Sequence, residues 1–278
     1  DFTLAKLKEL QALINEMPLL PNFVADLKNN FSKIFAAEIG KIGVFLRSDT
    51  NMEDLKDFTG AGLNLTLFNI QKKEEILKGI KQVWASPFSE RSYRWRQKIL
   101  ENPENVYPSI LVIPGVNVDC SGVMITTGVT SNNEKDVTVA FNRGVGGAVE
   151  GQQAESYLIK DNGSNILISP SRENKFTVLN SAGGTSKEFA NFQNRILSEE
   201  NINQIFEMSK EIKTRLPNTP GVESSGPFDV ELGFKDSKIW LFQVRPFVEN
   251  KRAASSNYIN SLDAKINSSK KVNLNIEL

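Results

Sequence analysis

The stretch from Pro227 to Phe247, PFDVELGFKDSKIWLFQVRPF, constrains the fold more than any other part of the chain. Two runs of alternating character flank the polar break Lys235-Asp236-Ser237-Lys238, which is the pattern of a β-hairpin. On the first strand Val230, Leu232 and Phe234 alternate with Asp229, Glu231 and Gly233; on the second, Trp240, Phe242 and Val244 alternate with Leu241, Gln243 and Arg245. A loop of odd length, Asp236–Lys238, is expected, because it pairs Val230 with Val244, Leu232 with Phe242 and Phe234 with Trp240. The same register sets Glu231 across from Gln243 and Asp229 across from Arg245, whereas an even loop would set carboxylates against aromatics. The hairpin then has one apolar face and one face with two carboxylates, an amide and a guanidinium. Such a face can hold a divalent cation through oxygens and a phosphate through N–H donors. A solvated face with a surface ion pair carries the same pattern, so spacing alone leaves both readings open.

Composition narrows the chemistry. The 278 residues suffice for a large core in one domain or two subdomains. Lys plus Arg and Asp plus Glu both number 33, so no global field draws the chain to nucleic acid or a membrane, and any anion site must be local. There is no histidine, which removes a Ser-His-Asp triad, a Cys-His pair, His-ligated zinc and any phosphohistidine on this chain. The single Cys120 excludes an internal disulfide and fits a reducing, cytoplasmic setting. No apolar run is long enough to span a bilayer and no signal peptide is visible. Opening on Asp1 without Met, the chain is expected to be a piece of a longer protein.

Along the chain, Leu4, Leu7, Leu10 and Ile14 recur at helical spacing until Pro18 and Pro21, and a second helix is expected from about Phe23 to Ala37. Lys41–Leu46 predicts a buried strand delivering Arg47-Ser48-Asp49-Thr50-Asn51 at its end. Met52–Asp57 predicts a helical turn, followed by the small-residue loop Thr59-Gly60-Ala61-Gly62. Glu74–Leu100 predicts a long helix broken near Pro87, with Arg91, Arg94 and Arg96 as a solvated basic face. Strands are expected over YPSILVIP, SGVMITTGV and DVTVAFNRG, then at Glu155–Ile159 and Asn165–Ile168 around an Asp161-Asn162-Gly163 turn. Gly144-Val145-Gly146-Gly147 lacks the ending of a Walker loop and is not a GxGxxG fingerprint. Arg172–Lys187 is mixed, with a loop at Gly183-Gly184. Ser198-Glu199-Glu200 predicts the start of a helix to about Arg215, Leu216–Pro227 is a linker, and the polar tail suggests helix from Asn257 to Ile266.

Taken in order, VFLRSDTNMEDL, FTGAG, SGVMITT, GVGGAVEG and DVELGF…IWLFQVRPF resemble the nucleotide-binding domain of the pyruvate phosphate dikinase, phosphoenolpyruvate synthase and glucan water dikinase family, over roughly residues 40–247. The resemblance implies an α+β fold with ATP-grasp-like mixed sheets and flanking helices. It divides the chain into a helical and first-strand part (1–105), a mixed-sheet subdomain with the hairpin (106–250) and a tail (251–278). It implies ATP and Mg²⁺ as cofactors. Arg47 would bind the phosphates, Thr59, Gly60, Ala61 and Gly62 would form the glycine loop over them, and Thr126 falls at the family's strand-end threonine. Glu231 and Gln243, supported by Asp229, would hold the metal, and Arg245 would contact the transferring phosphoryl group.

Three departures accompany the resemblance. Only 46 residues precede Arg47, and none forms the Gly-Gly-Lys segment that the family carries upstream, so the lysine-bearing subdomain is expected to be absent. Gly147 replaces the glutamate of the family's GLGE, and Asp49 stands where a serine is common. The phosphohistidine and pyruvate domains would lie elsewhere in the full-length protein. Two functions are therefore expected in order: a dikinase-type phosphotransferase domain, or a non-catalytic module that kept the fold.

Overall fold

Pro18 and Pro21 separate two helices, α1 (Phe2–Glu16) and α2 (Pro21–Phe35), the second beginning at the proline whose missing N–H costs nothing in a first helical turn. The chain continues through β1 (Val44–Thr50), β2 (Thr66–Ile70), α3 (Lys73–Ala85), α4 (Glu90–Ile99), β3 (Pro108–Pro114), β4 (Cys120–Ile125) and β5 (Val137–Arg143). Among the described residues there follow β6 (Glu155–Ile159), β7 (Asn165–Ser169), β8 (Lys175–Leu179), β9 (Thr185–Phe189), α5 (Glu199–Arg215), β10 (Phe228–Lys235) and β11 (Lys238–Pro246). This computed structural model describes residues 2–53, 62–146, 153–220, 222 and 224–248. By contact, Asp1–Phe247 form one unit and Val248–Leu278 another, and the architecture below is that of the first. The expected tail helix at Asn257–Ile266 lies outside the described residues.

Three antiparallel sheets result: β2-β1-β3, β11-β10-β4-β5-β6-β7 and the pair β8-β9. This is an α+β arrangement of mixed helices and multi-stranded sheets, as the resemblance implied. In the small sheet Val44 and Leu46 are fully buried against Phe31 of α2 and Ile76, Ile80 and Val83 of α3. Strand alternation sends Phe45 and Arg47 to the opposite face. In the large sheet Phe228, Val230, Leu232 and Phe234 pack with Met124, Val139, Phe141 and Tyr157 under Ile202 and Ile205 of α5. A third cluster of Val118, Val145 and Leu179, with Phe45 and Phe242 against it, joins the free faces of the two sheets.

The local chemistry explains the helix boundaries. Ser89 caps α4 by accepting from the Ser92 N–H, and Ser198 forms a capping box with Asn201 at the start of α5. The expected long helix is two helices, with a 3₁₀ turn at Ser86–Phe88 where Pro87 cannot continue the ladder. Gly122 in β4 is required by close approach. A Cβ there would sit 2.1 Å from the Ala140 carbonyl oxygen and 2.6 Å from Phe141 Cδ2. Gly122→Ala is expected to destabilise the fold by roughly 3 kcal/mol, seen as a lower urea midpoint; an unchanged midpoint would show that the sheet has room.

Three expectations are corrected. The first strand does not stop at Leu46 but runs to Thr50, because β3 pairs along its whole length from Val44↔Pro114 to Thr50↔Pro108. Arg47 therefore sits inside a strand. The mixed stretch Arg172–Lys187 holds most of the β8–β9 hairpin, whose turn uses left-handed Gly183 and Gly184 (φ 93° and 74°). TSKEF is polar up to its last residue, and KFTVL alternates only at Phe176 and Val178, too short a run to mark a strand. Finally, the β10–β11 turn has two residues, Asp236 and Ser237, both left-handed (φ 50° and 61°), the geometry of a type I′ turn. A β-bulge between Glu231 and Leu232 supplies the odd offset instead. Beyond it Leu232 pairs with Leu241, Gly233 with Trp240 and Phe234 with Ile239, so Trp240 is exposed and Ile239 packs against the core.

Candidate functional site

The bulge leaves two polar pairs, and the valine pair between them, where the alternation expected them. Asp229↔Arg245, Val230↔Val244 and Glu231↔Gln243 are opposite one another, with Val230 pointing to α5 and the polar four pointing away. The face they occupy is the one that meets the small sheet. Phe242, the extra residue of the bulge, turns the same way and packs in the third cluster. It lies where a side chain at position 233 would be, since a Cβ on Gly233 would come within 3.0 Å of Phe242 Cε2.

Arg47 crosses from β1 to this face. Its Nη1 lies 3.3 Å from Glu231 Oε2, and its Nη2 donates to Gln243 Oε1. The guanidinium fork thus bridges neighbouring strands of the other sheet. Beside it, Arg245 Nε and Nη2 both donate to Asp229 Oδ2, at 2.9 and 2.8 Å. The Arg47, Glu231, Asp229 and Arg245 side chains are all between 17% and 23% exposed, screened from bulk water but reachable. Asp229 Oδ1 is buried and has no hydrogen-bond partner.

The donor set fits a hard dication. Two carboxylates and an amide oxygen on one face are the ligand type that Mg²⁺ takes, with water or phosphate oxygens completing the shell. The orphaned Asp229 Oδ1 is a buried acceptor with capacity left over. Among the described residues no group of three or more His, Cys, Asp or Glu side chains converges, so any ion here would depend on Gln243 or on ligand oxygens as well.

The remaining expected residues are placed as follows. Thr126 is 1% exposed; its N–H donates to the Phe228 carbonyl (2.9 Å) and its Oγ1 accepts from the Phe228 N–H (2.8 Å). It fastens the end of β4 to β10 one residue before Asp229. Gly62 adopts φ +71° with open space around it. Thr59, Gly60 and Ala61 lie outside the described residues. In the other glycine segment, Gly144 N–H donates to the Asp119 carbonyl, Val145 N–H to the Thr177 carbonyl and Gly146 N–H to Ser121 Oγ. Those three donors are engaged within the protein rather than aimed at a cleft.

The chain is 24% identical over 269 residues to the probable phosphoenolpyruvate synthase of Pyrococcus horikoshii, which covers 90% of this chain and 32% of that protein. It is 27% identical over 248 residues to the probable phosphoenolpyruvate synthase of Archaeoglobus fulgidus, covering 86% of this chain and 31% of the relative. The rifampicin phosphotransferase of Bacillus cereus is 28% identical over 207 residues, 72% of this chain and 23% of its own length. The chain thus spans about a third or less of the relatives it matches. Residues 3–265 match the pyruvate phosphate dikinase AMP/ATP-binding domain, and the chain belongs to that family.

Proposed function

We propose that this chain is the nucleotide-handling part of a dikinase-type phosphotransferase that passes the β-phosphoryl group of ATP to a histidine on another domain and releases AMP. The observation that carries this reading is the placement of Arg47 against Glu231 and Gln243 across two sheets, with Arg245 and Asp229 alongside. Phosphoryl transfer asks little covalent chemistry of a protein; it asks for positioning and for charge around the phosphate oxygens. Glu231, Gln243 and the free oxygen of Asp229 would hold Mg²⁺, which supplies charge neutralisation of the phosphates when bound. Arg47 would exchange its carboxylate and amide partners for phosphate oxygens, which a guanidinium fork matches in shape. Arg245, held in orientation by Asp229, would face the transferring group. The chain has no histidine, so the acceptor has to come from elsewhere. A cytoplasmic setting goes with this reading, as ATP is its substrate.

The test uses the full-length protein and the chain together. In the full-length protein Arg245→Ala is expected to abolish AMP formation, and retained AMP release would overturn the assignment. In the chain Mg-ATP should raise the thermal midpoint by mass action. A second reading, a module that binds without turnover, is favoured by Gly147 in place of the family's glutamate. Under it the midpoint rises but the full-length protein releases no AMP.

A further inference from the structure

The β8–β9 hairpin touches both sheets, and the hydrogen bonds that fasten its tip to the small sheet centre on one residue. Asn69 of β2 is 4% exposed and left-handed (φ 51°), in the irregularity where Val44↔Ile70 gives way to Leu46↔Leu67. Asparagine tolerates that conformation better than most residues. The twist turns its amide off the sheet toward the hairpin tip. Asn69 Nδ2 donates to the carbonyls of Asn180 (2.8 Å) and Gly184 (2.7 Å), and its own carbonyl accepts from the Gly184 N–H (2.8 Å). Its Oδ1 fills the space beside Gly43, where a Cβ would lie 1.9 Å away. The amide nitrogen thus holds two carbonyls of the hairpin tip at once.

Along β8 the hairpin is also tied to the segments that flank the large sheet. Thr177 accepts from Val145 N–H (2.9 Å), in a parallel bridge with Gly144. Leu179 N–H donates to Asn117 Oδ1 (2.9 Å). The Leu179 side chain lies in the third cluster against Phe45 and Phe242. Phe45 stands two residues before Arg47, and Phe242 adjoins Gln243. The hairpin is therefore a strap across the two sheets, with its apolar filling directly beside the Arg47–Gln243 contact.

We infer that Asn69 is a positioning residue for Arg47: by holding the strap it sets the spacing of the two sheets, and with it how far the Arg47 guanidinium stands from Glu231 and Gln243. The consequence for phosphate binding rests on the function proposed above; the spacing itself does not. A site loosened by as little as 1 Å loses much of its effect on a bound group.

The experiment measures spacing and binding separately in the whole chain. Spin labels at Glu74→Cys on α3 and Lys238→Cys on β11, both exposed, report the distance between the sheets. Cys120 stays unlabelled, since burial pushes its thiol up to about 12. Asn69→Gly keeps the left-handed backbone and removes the amide, and it should broaden the distance distribution roughly twofold. Val139→Ala, in the core away from the strap, should lower the thermal midpoint without broadening it. The affinity for Mg-ATP should fall about tenfold in Asn69→Gly, equivalent to ~1.4 kcal/mol. An unchanged distribution overturns the inference whatever the nucleotide does. A broadened distribution in a chain that binds no Mg-ATP supports the spacing role and counts against the proposed function. If Asn69→Gly does not fold, Asn117→Ala releases the same strap at Leu179 and decides the question by the same readout.

Discussion

Arg47→Ala is expected, under the proposed function, to lower AMP formation by the full-length protein by about 10³-fold or more, the range seen when a phosphate-stabilising arginine is lost. The cost to the fold should be small by comparison. The Arg47–Glu231 pair is partly open to solvent on both sides, which limits such a contact to about 1 kcal/mol. Activity and stability should therefore separate: a near-normal thermal midpoint with activity lost. Arg47→Lys should not restore activity, because an ammonium cannot span Glu231 and Gln243 as the fork does. Steady-state AMP release beside a melting curve checks all three statements. Activity within tenfold of the unsubstituted protein would remove Arg47 from the chemistry.

The second large effect concerns the fold alone. Glu155 of β6 is 3% exposed, and its carboxylate accepts from the Ile196 N–H (2.9 and 3.0 Å), the Leu197 N–H (3.0 Å) and the Tyr157 hydroxyl (2.9 Å). Burial, aided by that bond to Glu155, holds the Tyr157 phenol well above its ordinary pKa, so it remains a neutral donor. Glu155→Ala would take the shared acceptor from two backbone donors and a hydroxyl, at about 1–3 kcal/mol each. The sum, discounted for relaxation and entering water, is a loss of roughly 4 kcal/mol. Denaturant unfolding should show a lower midpoint at unchanged slope, with Glu155→Gln recovering part of the loss. A loss below about 1 kcal/mol would mean that the turn before α5 finds other acceptors.

The polar quartet of the last hairpin was legible because strand periodicity is two, and four side chains at matching parity share a face by geometry. The turn was not. Lys235-Asp236-Ser237-Lys238 accommodates two residues or three in the loop, and only the bulge at Glu231, which leaves no mark in residue types, reconciles the tight turn with the correct pairing. Arg47 could be found as a strand-borne arginine, yet its partners lie 184 and 196 residues away, beyond any local pattern. Thr126 was legible as a strand-end hydroxyl, but not its bond to the Phe228 backbone. Asn69 carried no warning at all: an asparagine inside TLFNI resembles a poor strand residue, and its worth appears only once the hairpin tip is beside it.

The pairing of β10 with β4 has a consequence for how the family can vary. Thr126 and Phe228 meet at a sequence separation of 102, and everything from β5 to α5 hangs between those two points. Loop-closure entropy grows only with the logarithm of length, about 0.6 kcal/mol for each doubling. That excursion can therefore gain or lose surface residues at little entropic cost, while the ends of β4 and β10 tolerate almost no change in count. Surface turns within that excursion can take up such changes, whereas the β8–β9 strap, which packs against Phe45 and Phe242, cannot.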